Sequence, residues 1–377
     1  MIFAEPLFLG PTIVLCLQKL GHLTLHEIYT MESVCIGLLL VLEIPSGALA
    51  DLLGRKKVLL FGLFFRIVNL LFLAFMTGRT DVWIANILWV ISFALKSGAD
   101  QALLYDSLTQ IGQAHDYAKI QGKARSGFLL LTAICSLFAG WVSEYGLRIP
   151  LYLSVLGVFV GFCTTCLFVE PVRTKRYNAG EHITHMKEGI KEVAKSPQLL
   201  WVIVFVCVVS VSSKLWFFTY NPYFELVDLR FAYYGVIFFL LNIVAFLASR
   251  YAHLILKSVS WFVCCTVLIG IVALPMLAMG LCVTKYMVAM VLFQNIARGF
   301  MNPFISSVYN KYTKSEHRAT VISCKSAISG LVEVIGMAVF AYVLGVYSLP
   351  IALQILAIFL LVFGVGILSL YRKVFSV

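Results

Sequence analysis

A few charged and amide side chains interrupt stretches of this chain that are otherwise apolar, and their spacing limits the chemistry available. In "WVISFALKSGADQALLYDSL", Lys96 and Asp100 stand four residues apart, which on a helix lets an ammonium and a carboxylate neutralise each other. Glu43 precedes Pro45, and Glu333 lies midway along a later run with Lys325 two turns away on a similar face. Arg66 with Asn69, and Arg298 with Asn302, place further polar groups among apolar neighbours. A charged side chain at the centre of a membrane helix costs roughly 2.5–3.5 kcal/mol on insertion scales, so each of these is a functional candidate.

The chemistry these residue types support is reversible protonation. Burial favours the neutral carboxyl and a nearby cation favours the ionised one, so a carboxylate held between the two influences responds to water entering beside it. Asp100 is the first candidate for a coupling proton, with Lys96, Glu43 and Glu333 behind it. The competing reading of Lys96 and Asp100 is a static ion pair that stabilises one helix. Arg66, Asn69, Arg298, Asn302 and Lys325 are candidates for the walls of a substrate cavity. Glu5, Lys214 and Glu225 sit nearer the ends of their runs and are expected to snorkel to the interface.

Other chemistries find little support. Most of the ten cysteines fall inside apolar runs, where they act as small buried hydrophobes. Cys163 and Cys166 have CxxC spacing, but "FCTTCLFV" reads as packing within a span. Several histidines are scattered (His22, His26, His115, His253, His317), and His182 with His185 has no other ligand cluster near it. No metal and no cofactor are therefore expected. A phosphate-binding loop of the GxxxxGK[ST] type is absent from the sequence, which argues against ATP-driven work. A membrane enzyme such as an acyltransferase would want paired His and acid at the membrane edge, so the chain reads as no enzyme.

The elements that must position these groups follow from composition. Hydrophobic residues make up 61% of the chain and charged ones 12%, against roughly 25% charged in soluble domains; mean hydropathy is +0.95. This is the composition of a polytopic all-α membrane protein, whose first partner is the lipid bilayer. Breaks at charged, Pro and Gly positions divide the chain into twelve candidate spans: 2–19, 25–50, 58–77, 82–105, 125–144, 150–169, 199–221, 231–249, 258–281, 286–309, 318–343 and 350–371. The first run has no basic leader and contains Glu5, so it does not read as a cleavable signal peptide. Lys and Arg settle orientation: with the N-terminus inside, only Lys19, Arg79, Arg148, Arg230 and Lys285 fall on the outer side. Both termini are thus expected to be cytoplasmic, and the net charge of +11 needs no nucleic acid.

Three segments result: a six-helix bundle over 1–169, a linker over 170–198 and a second bundle over 199–377. The linker "EHITHMKEGIKEVAKSP" puts Ile183, Met186, Ile190 and Val193 on one face, the pattern of an amphipathic helix lying on the membrane. "LKSGADQALLYDSL" at 95–108 falls beside "ARGFMNPFISSVYN" at 297–310, which together with the 6+6 count points to parallel repeats around a central cavity.

Between the second and third runs stands "GALADLLGRKKVLLFG", Gly47 to Gly62. Its GxLADxxGRKxxL pattern resembles the signature loop of the major facilitator superfamily. Helix count and linker extend a looser resemblance along the whole chain. The resemblance implies twelve transmembrane helices in two pseudo-symmetric bundles and alternating access. Small Gly47 would let a neighbouring backbone approach, and Gly54 would allow the reversal. Asp51, Arg55, Lys56 and Asp106 would form a network that latches the two halves on the cytoplasmic side. Leu52 stands where the family usually has a basic residue. Gly140 in "AGWVSEYGLRIPLYLS" is similar to the end of the Gly/Pro-rich pattern of drug-efflux antiporters, whose proline and middle glycines are missing here. The implied protein is a monomeric, proton-coupled exporter of small amphipathic molecules in a bacterial inner membrane. Import of a nutrient or siderophore, or flipping of a lipid-linked molecule, are readings on the same fold.

Overall fold

The computed structural model describes residues 5–97, 99–171, 196–312 and 318–375, with their side chains except those of Ile44, Ala48, Asp51, Ala118, Arg125, Arg372 and of residues 308–312 and 318–323. The amphipathic stretch expected over Ile183–Val193, with His182 and His185, lies outside the described residues. Among the described residues all regular structure is helical. The helices are α1 (Ile13–Lys19), α2 (Leu25–Leu53), α3 (Arg55–Phe75), α4 (Arg79–Lys96), α5 (Ala99–Gln110), α6 (Tyr117–Val142) and α7 (Ile149–Cys166). They continue with α8 (Pro197–Phe218), α9 (Tyr220–Leu226), α10 (Phe231–Ser258), α11 (Trp261–Leu281), α12 (Val291–Tyr312), α13 (Arg318–Val346) and α14 (Leu349–Phe375).

Local chemistry sets several boundaries. Thr24 caps α2 through a reciprocal box: its Oγ1 accepts from the Glu27 N–H, and Glu27 accepts from the Thr24 N–H at 2.8 Å. Ser196 and Ser260 cap α8 and α11, with Pro197 at the first position of α8, where its missing N–H costs nothing. The C-terminal carbonyls around the end of α3 are met by a cation: Arg148 donates to Ala74 O at 2.5 Å and Met76 O at 2.8 Å.

Among the described residues ten helical segments are long and apolar enough to cross a membrane, against twelve expected along the chain. The run over 2–19 is helical only from Ile13 to Lys19 in its described part, about 10 Å at 1.5 Å per residue and too short to span. The run over 286–309 yields α12, whose apolar character is interrupted by Gln294, Asn295, Arg298 and Asn302. The run over 82–105 is two helices, because Ser97 leaves helical geometry at ψ 121° between α4 and α5.

Contacts divide the chain into two compact units, Met1–Glu181 with Arg230–Phe239, and His182–Leu229 with Leu240–Val377. In the first, α3 packs on α4 and α7, and α2 on α4. Ser92 donates to Gly62 O at 2.7 Å and Asn69 to Ala85 O at 2.7 Å, which stitch α3 to α4. The start of α10 belongs to this unit and meets α6 backbone to backbone: a Cβ at Gly140 would lie 2.4 Å from Gly235 N. In the second unit α8 packs against α11, α12, α13 and α14, and α11 against α14. The Trp201 indole donates to Ile367 O at 2.8 Å, and Gln354 donates to Gly280 O at 2.7 Å. An aromatic cluster near the end of α8 is core: Trp216, Tyr220, Tyr223 and Phe224 are fully buried.

Candidate functional sites

In the first unit the segment ahead of α1 turns back and delivers Glu5 to two cations. One carboxylate oxygen pairs with Lys96 Nζ, and the other lies 3.3 Å from Arg66 Nη2. Arg66 also donates to Asn69 Oδ1 at 3.2 Å, so the two α3-to-α4 stitches fix the wall from which Arg66 projects. Two expectations need correction here. Lys96 is paired with Glu5 and not with Asp100, because the break at Ser97 puts the two residues on different helices. Asp100 Oδ1 instead accepts from the Gln101 N–H at 2.7 Å in the first turn of α5. Glu5 does not snorkel away from charge; it is the acid shared by two cations. Glu43 is exposed and accepts from Ser97 Oγ at 3.2 Å, at the α4–α5 break.

The signature loop is a turn clamped by a carboxylate. Gly54 ends α2 and starts α3 at φ 105°, a backbone region in which a side chain is strained. Arg55 pairs with Asp106 and donates to Ala102 O at 2.6 Å, tying α3 to α5. Glu170 accepts from the Arg55 N–H at 2.7 Å and the Lys56 N–H at 2.9 Å, the favourable place for an anion at a helix N-terminus. Lys56 Nζ reaches Cys166 O at 2.8 Å. Gly47 is not a point of close approach, since a Cβ there would meet nothing within 4 Å. The Asp51 side chain is outside the described ones.

In the second unit α8, α12 and α13 line a half-open cavity of about 340 Å³, within the size range of small-molecule sites. From α8 come Ser210, Ser213, Lys214 and Phe217; from α12, Gln294, Ala297, Arg298, Met301, Asn302 and Ile305; from α13, Lys325. The α8 and α12 residues recur at three, four and seven positions, so each set is one face of its helix. Gln294 is locked in place: it donates to Ser213 O at 3.0 Å and accepts from the Asn295 amide at 2.9 Å and from the Tyr220 hydroxyl. Arg298 donates to Asn242 Oδ1 at 3.0 Å. Glu333 pairs with Lys214, not with Lys325, and Lys214 is accordingly a cavity residue and not an interfacial one.

Sequence reasoning missed Glu170, Gln294, Asn242 and the partner roles of Glu5 and Lys214. Adjacent amides in "VLFQNIARGF" were the available signal for Gln294. Glu170 offered none, because its partners are more than a hundred residues away in sequence. Among the described residues no group of three or more His, Cys, Asp or Glu is arranged to hold a metal.

The family model described as Major Facilitator Superfamily matches residues 7–282. The uncharacterized MFS-type transporter YxaM of Bacillus subtilis (strain 168) is 21% identical over 343 residues, spanning 86% of this chain and 82% of its own. Among solved structures, a bacterial homolog of the human lysosomal transporter Spinster, inward-facing and unoccupied, has a TM-score of 0.74 at 13% identity, with 100% of this chain and 95% of that one covered. The nucleoside transporter NupG has 0.73 at 15% identity, with 98% and 97% covered. A POT family transporter with a thioalcohol-conjugated peptide has 0.74 at 12%, with 99% and 95% covered. These likenesses concern the fold.

Proposed function

The chain belongs to the major facilitator superfamily and is a multi-pass membrane transporter; from that premise we propose that it is a proton-coupled secondary transporter working by alternating access. The observation that carries this reading is that part-buried carboxylates are paired with cations on other elements: Glu5 with Arg66 and Lys96, and Glu333 with Lys214. Protonating either carboxylate removes the partner's reason to stay, so proton binding would be coupled to the freedom of the elements that carry the pair. Asp100 and Glu43, unpaired with Lys96, rank behind Glu5 and Glu333 as proton carriers. The transported species is a small molecule, and the protein acts as a monomer in a bacterial inner membrane with both termini cytoplasmic.

We take export of amphipathic compounds as the direction. Its support is the Gly140–Gly235 contact at the position whose sequence is similar to the antiporter pattern. Import is the second reading, favoured by the nucleoside and peptide-bound transporters among the solved neighbours. The test is a growth screen of an overexpressing strain against toxic compounds and single nutrients, followed by substrate-triggered proton flux in everted vesicles. Resistance with proton release from loaded vesicles supports export, and growth on a nutrient with proton uptake supports import. Hits that move without any proton flux would sink the coupling.

A further inference from the structure

The cavity of the second unit has a charge that the function above does not use. Among the described residues that line it three are cationic, Lys214, Arg298 and Lys325, and none is acidic. Glu333 answers Lys214. Lys325 stands two helical turns from Glu333 on α13, about 12 Å along the axis, so the same carboxylate does not serve both. Even with Glu333 counted, the lining is net positive. Like charges gathered around one pocket repel, and a negative group entering it relieves that repulsion.

We propose that this cavity binds an anionic group of the transported molecule, a carboxylate, sulfonate or phosphate, between Arg298 and Lys325. The proposal rests on the reading of this chain as a transporter and names the class of its substrate. Arg298 is aimed by its hydrogen bond to Asn242, and Arg has five N–H donors in a fork that matches such anions. Lys325 supplies the second charge from the facing helix. Gln294, 2% exposed and held on three sides, gives a fixed polar wall. Phe217, Met301 and Ile305 offer apolar surface beside the charges. An amphipathic acid therefore fits both halves of the lining, whereas an amine of the same shape meets like charge.

The test uses the full-length protein purified in detergent and three probes of matched shape: 4-phenylbutyrate, 4-phenylbutyramide and 4-phenylbutylamine. Calorimetric titration should show the acid binding at least tenfold more tightly than the amide or the amine, which is 1.4 kcal/mol. Lys325→Gln and Arg298→Gln should each weaken the acid tenfold or more and leave the amide unchanged. Lys325→Arg should retain acid binding, and it guards against a variant that merely misfolds, as does gel-filtration behaviour. Equal binding of the three probes, preference for the amine, no binding of the acid, or acid binding indifferent to both Gln variants overturns the proposal. Because this is equilibrium binding without a gradient, the two readings fail separately. Acid binding without gradient-driven transport removes the proton-coupled reading alone, and proton-driven transport with no acid preference removes the anion site alone.

Discussion

Glu5→Gln preserves the size and hydrogen-bonding reach of the side chain and removes the negative charge that Arg66 and Lys96 share. Removing one partner of a fully buried ion pair costs about 3–5 kcal/mol, and for an exposed pair about 0.2–1 kcal/mol. Arg66 and Lys96 are 11% and 13% exposed, but Glu5 is 31% exposed and so keeps some water. The loss should fall between the two limits, at about 2 kcal/mol, a change of roughly 30-fold in the folded-to-unfolded ratio. Unfolding of purified protein by denaturant in detergent would measure it. The double variant Glu5→Gln with Lys96→Met removes the stranded ammonium as well and should recover about half of the loss. The same Glu5→Gln protein should lose proton-driven transport while still binding substrate. Stability equal to the parent, or a double variant worse than the sum of the single ones, would refute the assignment of Glu5 as the shared acid.

Glu333→Gln should cost less, about 1 kcal/mol, because its partner Lys214 is 41% exposed and partly solvated; a loss as large as that of Glu5→Gln in the same unfolding assay would contradict the ordering. Glu170→Gln replaces an anion at the start of α3 by a neutral amide and should lower stability by about 1 kcal/mol, with hydrogen exchange at the Arg55 and Lys56 amides rising first; unchanged exchange would show that the carboxylate does not clamp that end. Gly140→Ala puts a methyl group 2.4 Å from Gly235 N and should cost about 1–3 kcal/mol by overpacking. The control is Gly157→Ala, where a Cβ meets nothing within 4 Å, and equal behaviour of the two variants would remove the close contact from the account.

Much of the architecture is legible in the sequence because hydropathy acts over whole segments. Runs such as 58–77 and 258–281 correspond to α3 and α11 with only small shifts at their ends. Failures arise where one residue decides. Ser97 breaks a run whose apolar content continues on both sides, and beyond the break Lys96 makes its direct pair with Glu5 and not with Asp100. Glu5 looks terminal by position, yet turns in the chain bring it to α3 and α4. Lys214 looks interfacial because it precedes aromatic residues, but Trp216 and Tyr220 are buried and the lysine faces a carboxylate on α13. The cavity residues are half legible: Arg298, Asn302 and Lys325 stand out as polar groups in apolar runs, whereas Ser210, Ser213 and Phe217 join them only through the helix face they share. Spacing within one helix is readable from sequence, and pairing between helices is set by packing.

The central claim, alternating access, is tested most directly at one cavity position probed from both sides. Met301→Cys in a protein whose three exposed cysteines, Cys163, Cys166 and Cys282, are replaced by serine gives a single reporter within the cavity. Its labelling by a membrane-impermeant maleimide would be timed in right-side-out and in everted vesicles under proton gradients of either sign. The account predicts that reversing the gradient raises the rate from one side and lowers it from the other. Rates that rise and fall together, or labelling confined to one side under both gradients, would contradict it.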